Sequence, residues 1–440
     1  MRPLYLQHSI TPNIPKGYGG IVLIMKPYNK DFGTCVSKPN SAGVLTQTCA
    51  ITALQQSLIS VTFLFVAIGA AIAGVVGSYL GRRGTIQVGC VLVAIGAGGM
   101  LGTTGNFTAY IVCKCIGGVG LGHFVAAAPT YGVECTIAGK RGFLTSLFNV
   151  GLAFGFMASA AVCLGSSQYK TSLAWQIPII CQLPLALILG VGVMLFPESP
   201  RWLLVKGREE AARKSFARFY NSDPWSPEIT RQIQDVQYHI ELEKATGSTT
   251  SWTEIFRSTD RRRTLTALLI VVAQAIAGGK FISAYSALFL AGVGIGNTFV
   301  INLIVASCTL LGAMAAPWIV EYGGRRFSLL TGYTFMATFM LIIAAVATGL
   351  GSKSSISKTV LIVFLCLWTF VYGACTGTSI STIAPEMHSV RLRTYGQACV
   401  SSVYETFSFA AAFYTPYMLS PKYGNMGTNV GYFYFGRLHS

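Results

Sequence analysis

The feature that most constrains this chain is a series of long apolar runs. Ten segments each hold about 20 mostly apolar residues, the length that a helix needs to cross the hydrocarbon core of a bilayer. They are 57–80, 84–104, 107–128, 143–165, 175–196, 264–291, 298–320, 328–350, 359–384 and 394–419. Only 11% of the residues are charged, against about 25% in soluble proteins, so the chain has too few charged residues to form the surface of water-soluble domains. The sequence therefore predicts an all-α polytopic membrane protein.

The basic residues lie on alternate sides of these runs. Loops on one side carry 20 Lys and Arg, and the opposite loops carry 7. The positive-inside rule makes the first side cytoplasmic. Topology thus explains the net charge of +17, and we expect no nucleic-acid partner. The longest polar stretch, 200–262, predicts a cytoplasmic helical linker between an N-terminal membrane half, 1–199, and a C-terminal half, 263–440.

Two charged motifs occur twice in the same order. Gly81-Arg82-Arg83 returns as Gly324-Arg325-Arg326, an offset of 243, and Glu134 with Arg141 returns as Glu386 with Arg393, an offset of 252. Similar offsets indicate a duplicated bundle. Parallel repeats of this kind are a transporter architecture, with the substrate site between the halves near the middle of the membrane.

A longer motif carries a family resemblance. Pro197-Glu198-Ser199-Pro200-Arg201-Trp202-Leu203, together with the repeated motifs, resembles the sugar porter family of the major facilitator superfamily. Within that family, Arg391-Leu392-Arg393-Thr394 followed by Tyr404, and Lys422-Tyr423-Gly424-Asn425, resemble the fungal maltose and α-glucoside permeases. The resemblance implies the major facilitator fold, with twelve helices in two six-helix halves and alternating access to the substrate.

Both ends of the chain are shorter than a twelve-helix arrangement requires. Residues 17–25 are apolar but too few to span, and the last run, 430–438, ends before it reaches the length of a span. We therefore expect a shortened first helix, a missing twelfth helix, and a chain truncated at both ends.

The repeated charges predict ion pairs that close the cytoplasmic side in one state and break in the other. The alternative is that they only anchor helix ends. The candidate gating residues are Arg82, Arg83, Glu134, Arg141, Glu198, Arg201, Glu321, Arg325, Arg326, Glu386 and Arg393.

Sugar recognition needs amides that match hydroxyl groups and aromatic faces that pack on the ring. By motif position, the resemblance assigns substrate contacts to Asn149, Gln274 and Tyr285. Phe156, which lies two helical turns after Asn149, and Lys280 and Tyr404 complete the set of candidates. Phe156 and Tyr285 are equally consistent with ordinary packing. Gln274 is the strongest of the set, because an amide inside an apolar span needs a partner or a ligand.

Three charged residues inside the spans are further candidates. Lys114 stands where the family has an arginine, and proton-coupled relatives place an aspartate nearby that this chain lacks. Lys280 and Glu405 occupy positions that face the family's central cavity, and a buried charge is costly unless it is paired. We therefore expect Lys280 and Glu405 to approach within about 4 Å, or else Glu405 to be protonated and Lys280 to extend toward water. Lys114 and Glu405 are the candidates for proton coupling.

Two cysteines share one polar loop. Cys35 and Cys49 could form a disulfide if that loop is extracytoplasmic, but sequence alone leaves the pairing open.

The sequence thus predicts a transporter for an α-glucoside such as maltose or for a hexose, and leaves both proton symport and facilitated diffusion open. A transport-inactive remnant or a sensor-like paralogue is the main alternative, and an anion carrier using Lys280 is a third. No nucleophile–base pair, metal-ligand cluster or phosphate loop occurs in the sequence, so we expect no enzyme activity and no cofactor. The expected partners are the lipid bilayer, the sugar and, under symport, protons. The expected state is a monomer in the plasma membrane.

Overall fold

The computed structural model describes residues 14–39, 45–135, 141–245, 253–279, 281–282, 290, 297–351, 354–378, 387–388, 392–420, 422–424, 426 and 429–439. This part of the chain is mostly helical, as the apolar runs predict. The first half contains α1 (Ile14–Ile21), a 3₁₀ turn (Val22–Ile24), α2 (Lys26–Phe32), β1 (Thr34–Pro39), β2 (Leu45–Ala50), α3 (Ala53–Leu101), α4 (Phe107–Glu134), α5 (Arg141–Ser166), α6 (Leu173–Ile180) and α7 (Gln182–Met194).

The remaining elements form the linker and the second half. The linker contains α8 (Pro200–Val205), α9 (Glu209–Tyr220), α10 (Pro227–Ala245) and a 3₁₀ turn (Glu254–Phe256). The second half contains α11 (Ser258–Ile276), α12 (Thr298–Gly323), α13 (Arg325–Leu350), α14 (Ser355–Val371), a π-helical segment (Tyr372–Gly377), α15 (Arg393–Leu419) and α16 (Val430–His439).

The 49 residues of α3 form two spans rather than one. A straight helix of that length would be about 73 Å long, more than twice the hydrocarbon thickness. Gly81 interrupts it with a φ of 77° and a ψ of −175°. Gly69 and Gly89, on either side of the break, lie against Val119 and Gly120 of α4. The chain therefore reverses at Gly81, as predicted from the two apolar runs that flank it.

Seven of the described helical stretches are long and apolar enough to cross a membrane. They are Ala53–Leu101, Phe107–Glu134, Leu147–Ser166, Leu173–Met194, Thr298–Gly323, Arg325–Leu350 and Ser355–Gly377. The helices α11 and α15 are not in this set. Polar residues explain the difference, because the described part of α11 begins with an arginine run and α15 contains many Ser, Thr and Tyr residues as well as Glu405.

Among the described residues, the halves meet mainly along two helix pairs. One pair is α3 with α15, and the other is α5 with α12. The Ser57 hydroxyl donates to the carbonyl of Phe413 at 2.9 Å near one end of the first pair, and Gly77 lies against Thr394 at the other end. These contacts place residues of both halves side by side at each end of the bundle.

A short hairpin precedes the first arm of α3. Strands β1 and β2 are antiparallel, and Cys35 lies opposite Cys49. The two cysteines are joined by a disulfide, which answers the question that the sequence left open. The hairpin lies at the end of the span opposite Gly81, and a disulfide there agrees with the extracytoplasmic side assigned by the basic residues.

Candidate functional site

A buried ion pair holds the end of the first half that the basic residues predict to be cytoplasmic. Arg82 Nε and Nη2 donate to the two carboxylate oxygens of Glu134 at 2.8 and 2.7 Å. The Ser199 hydroxyl donates to the same carboxylate at 2.6 Å, and Arg82 Nη1 donates to the carbonyl of Gly77 at 3.1 Å. The relative exposures of Arg82 and Glu134 are 5% and 1%. A bidentate pair of this kind is strong and directional.

Glu198 has a different role from the ion-pair partner that the sequence predicted. Its carboxylate accepts backbone N–H groups from Arg82, Arg83 and Ser199 at 3.0, 3.2 and 2.8 Å. The first two are free donors at the start of the helical arm that follows Gly81, so Glu198 caps that arm. Burial raises the pKa of Glu198 above its usual range.

Other predicted gating residues surround this cluster. Arg83 Nη2 donates to the carbonyl of Met194 at 2.9 Å, which joins the turn to the end of α7. Arg393, at the start of α15 in the second half, is buried and interacts electrostatically with Glu134. Glu134 is therefore the point at which arginines from both halves converge. Arg201 is half-buried, and its Nε atom has no hydrogen-bond partner within the described ranges.

The second half does not repeat this arrangement among the described residues. Glu321, Arg325 and Arg326 are exposed at the junction of α12 and α13. Neither Glu321 nor Arg326 forms an ion pair in the part of the chain that the structure covers. Glu386, Arg391 and the side chain of Arg141 lie outside the described residues.

A polar cluster lies inside the second half. Gln274 of α11 is buried, and its Nε2 donates to the Tyr372 hydroxyl at 3.3 Å. The Tyr372 ring stacks on Trp368, with a centroid distance of 5.4 Å and an interplanar angle of 7°. A Cβ at Gly279 would lie 3.2 Å from the Tyr372 ring, so the backbone of the chain after α11 approaches that ring closely.

Helix α15 adds a tyrosine and a carboxyl group to the cluster. Tyr404 is hydrogen-bonded to Tyr372, and Glu405 lies near both tyrosines. Tyr333 of α13 lies near enough to interact with Tyr372 and Tyr404. The Tyr333 hydroxyl and the Trp368 Nε1 are buried and have no hydrogen-bond partner among the described residues. Unsatisfied buried donors are expected to have a ligand or a water.

Asn149 connects this cluster to the first half. Its Nδ2 donates to the carbonyl of Gly377, in the π-helical segment, at 3.4 Å. Phe156, two helical turns further along α5, is half-buried. Lys280 and Tyr285 lie outside the described residues, so the predicted Lys280–Glu405 pair stays a prediction.

Lys114 is buried in the first half between two aromatic rings. Its Nζ lies 5.4 Å from the ring centroid of Tyr18 and 5.8 Å from that of Tyr110. No carboxylate among the described residues forms an ion pair with it. Asp31, the first acid in the chain, accepts instead from the Trp175 indole at 2.8 Å. Cation–π contacts thus take the place of a charge partner.

Comparison with solved structures identifies the fold. The major facilitator superfamily proton:xylose symporter XylE, in complex with 6-bromo-6-deoxy-D-glucose, superposes with a TM-score of 0.80. The alignment covers 99% of this chain and 92% of that chain at 17% identity. This chain therefore has the major facilitator fold.

The family follows from the sequence. Residues 17–438 match the model of the sugar (and other) transporter family, and the chain belongs to that family, which is one of transporters and not of enzymes. The probable glucose transporter rco-3 of Neurospora crassa is 28% identical over 90% of this chain and 66% of its own length. The high glucose sensor RGT2 of Saccharomyces cerevisiae is 26% identical over 91% of this chain and 52% of its own length. The chain thus spans two thirds or less of these relatives, whose names refer to glucose and not to the α-glucosides that its motifs resemble.

Two members of the polar cluster escaped sequence analysis. Trp368 and Tyr372 lie four residues apart in an apolar run, a spacing that is also typical of packing aromatics. The available signal was their polar atoms, because an indole N–H and a phenol inside an apolar span both need partners.

Proposed function

We propose that this protein carries a hexose across the membrane by alternating access, with the sugar held between the two halves beside the Gln274–Tyr372–Tyr404 cluster. The observation that carries the proposal is the combination of unsatisfied buried donors, an amide and a stacked aromatic pair at one place in the bundle. A pyranose offers the matching hydroxyl groups and an apolar face. The similarity to a protein named as a glucose transporter supports a hexose, and an α-glucoside such as maltose is the second substrate class.

The proposal assigns the cytoplasmic gate to the first half. In this proposal, the contact between Arg393 of the second half and the Arg82–Glu134 pair of the first half holds the halves together on the cytoplasmic side. Opening toward the cytoplasm requires Arg393 to separate from Glu134, because the two lie on different halves. The predicted gating residues of the second half, including Glu321 and Arg325, are proposed to act as weaker contacts or as anchors.

Glu405 is the proposed site of any proton coupling. It is a fully buried carboxyl group beside the substrate cluster, whereas Lys114 in the first half has aromatic neighbours in place of an acid. If Glu405 couples transport to protons, Glu405→Gln abolishes the response of uptake to an uncoupler. If transport is facilitated diffusion, the wild type shows no such response.

A sensor-like or transport-inactive protein is the second candidate, favoured by the similarity to the glucose sensor RGT2. Uptake of radiolabelled D-glucose and maltose, in cells that lack their own sugar transporters, separates the candidates. Saturable uptake of D-glucose supports the transporter. Surface expression without uptake of either sugar contradicts it and favours the second candidate. The same cells test the proposed plasma-membrane location, and size-exclusion chromatography with light scattering tests the monomer.

A further inference from the structure

A run of arginines stands at the start of α11, where the linker enters the membrane. Four arginines fall within seven residues, directly before the apolar part of the helix. They are Arg257, Arg261, Arg262 and Arg263. Of the two nearby acids, Asp260 lies within this stretch and Glu254 lies three residues before it, so the arginines outnumber the acids.

The acids account for two of the four guanidinium groups. Arg257 lies 3.6 Å from Glu254, and Arg263 lies 3.5 Å from Asp260. The side chains of Arg261 and Arg262 are exposed and form no hydrogen bond or ion pair within the residues described. In contrast, the guanidinium groups of Arg82 and Arg83 in the other cytoplasmic turn both donate hydrogen bonds.

Arg261 and Arg262 lie next to an exposed apolar face of α11. Arg262, Leu265 and Leu269 are spaced by three and four residues, so they lie on one side of the helix. Leu265 is 48% exposed and Leu269 is 71% exposed. The opposite face, with Ala267 and Val271, packs on Val400 of α15. In a membrane, exposed leucines of this kind contact acyl chains.

We propose that Arg261 and Arg262 bind the headgroup of an anionic phospholipid of the cytoplasmic leaflet, whose acyl chains lie along Leu265 and Leu269. A guanidinium group matches phosphate and carboxylate oxygens with two parallel hydrogen bonds. The cytoplasmic leaflet supplies such headgroups, and arginines just outside a membrane helix attract them. The bound lipid fixes the start of α11, the helix that carries Gln274. The binding itself does not depend on the proposed transport activity.

Lipid retention by the purified full-length chain tests the proposal. The protein, in detergent micelles with equimolar phosphatidylserine and phosphatidylcholine, is examined by native mass spectrometry. We expect preferential retention of phosphatidylserine. Each basic residue near an anionic surface strengthens association roughly fivefold, so Arg261→Gln with Arg262→Gln should weaken retention by roughly 25-fold. Arg261→Lys with Arg262→Lys keeps both charges and should retain most of the lipid.

The control removes two exposed arginines from the linker helices, by Arg218→Gln with Arg231→Gln, and should leave retention unchanged. Equal retention of both lipids by the wild type would overturn the proposal, as would equal losses in the control and the test variant. Displacement by soluble glycerophosphoserine at the same concentration as the lipid would also overturn it, because the acyl chains would then contribute nothing.

Discussion

Arg82 and Glu134 form a bidentate ion pair that is almost completely buried at the end of the first half predicted to be cytoplasmic. Arg82 comes from the turn inside α3, and Glu134 is the last residue of α4. Ser199 holds the same carboxylate, and Arg393 of the second half lies nearby. One carboxylate therefore joins two spans to the residue that precedes the linker, and it lies near an arginine of the opposite half.

Loss of Arg82 should loosen this end of the protein. Removing one member of a buried ion pair costs about 3–5 kcal/mol, because the other charge remains buried without its partner. Cys135, buried directly after Glu134, is a natural reporter. In Arg82→Gln we expect faster alkylation of Cys135 by an impermeant thiol reagent applied from the cytoplasmic side, measured by peptide mass spectrometry. Arg83→Gln, which loses a hydrogen bond to a carbonyl, is the matched control. Equal labelling of Cys135 in the wild type and Arg82→Gln would contradict the gate.

Gly81 should tolerate no side chain. Its φ of 77° disfavours other residues, and a Cβ would lie 2.5 Å from a carboxylate oxygen of Glu198. With a ψ of −175° the backbone lies in a region that essentially only glycine populates, and it costs another residue roughly 1–3 kcal/mol before any contact is counted. Gly81→Ala should therefore lower the unfolding temperature in detergent by several degrees. Gly98→Ala, in the same helix and with no atom near the added Cβ, should leave that temperature unchanged or raise it. Equal unfolding temperatures for the two variants would refute this role of Gly81.

Because burial raises the pKa of Glu198, we expect this residue to make the folded protein less stable as the pH rises. Burial raises its pKa in the folded protein above the value of about 4.3 for a free glutamate. The folded state then binds the proton more tightly than the unfolded state does. The resulting stabilisation is complete below the unfolded pKa and is lost as the pH rises through the folded pKa. We expect the unfolding temperature of the wild type, relative to that of Glu198→Gln, to fall as the pH is raised from 4 toward 7. If the unfolding temperatures of the two proteins change with pH in parallel, Glu198 is not the source of the pH dependence.

Substitutions of Tyr372 separate the contribution of its hydroxyl group to the proposed sugar site from the contribution of its aromatic ring. Tyr372→Phe keeps the ring that stacks on Trp368 and removes the hydroxyl that Gln274 contacts. A hydrogen bond is worth about 0.5–1.5 kcal/mol, so the KM for D-glucose should rise roughly 2- to 12-fold. Tyr372→Ala also removes the ring and should have a larger effect. Uptake kinetics at matched surface expression measure both. Tyr333→Phe tests the neighbouring unsatisfied hydroxyl, and an unchanged KM in all three variants would exclude the cluster from sugar binding.

The sequence predicted the membrane fold well, because a span of apolar residues has few alternatives in a bilayer. It also indicated which charges meet at the cytoplasmic surface, since Glu134 and Arg82 recur in a repeated pattern. The role of Glu198 could not be read in the same way. Its carboxylate caps a helix start that is 115 residues or more distant in sequence, a contact that only tertiary packing creates.

The interior site was harder to predict for a physical reason. Gln274 stands out in an apolar run because an amide there is costly, whereas Trp368 and Tyr372 resemble ordinary packing residues until their polar atoms are placed. Tyr372 is noticed only when its hydroxyl is seen to contact Gln274 and Tyr404. The Lys280–Glu405 pair stays a prediction.

Stereoselective exchange of glucose tests most directly whether this protein carries a hexose by alternating access. The purified full-length chain is reconstituted into liposomes, and exchange of radiolabelled D-glucose is measured at equal internal and external concentrations, with L-glucose as the control. Equilibrium exchange needs alternating access but no proton gradient, so it applies to a symporter and to a facilitator alike. We predict saturable exchange of D-glucose, absent for L-glucose and weakened by Tyr372→Ala. Equal, non-saturable fluxes of the two enantiomers in wild-type protein would contradict the account.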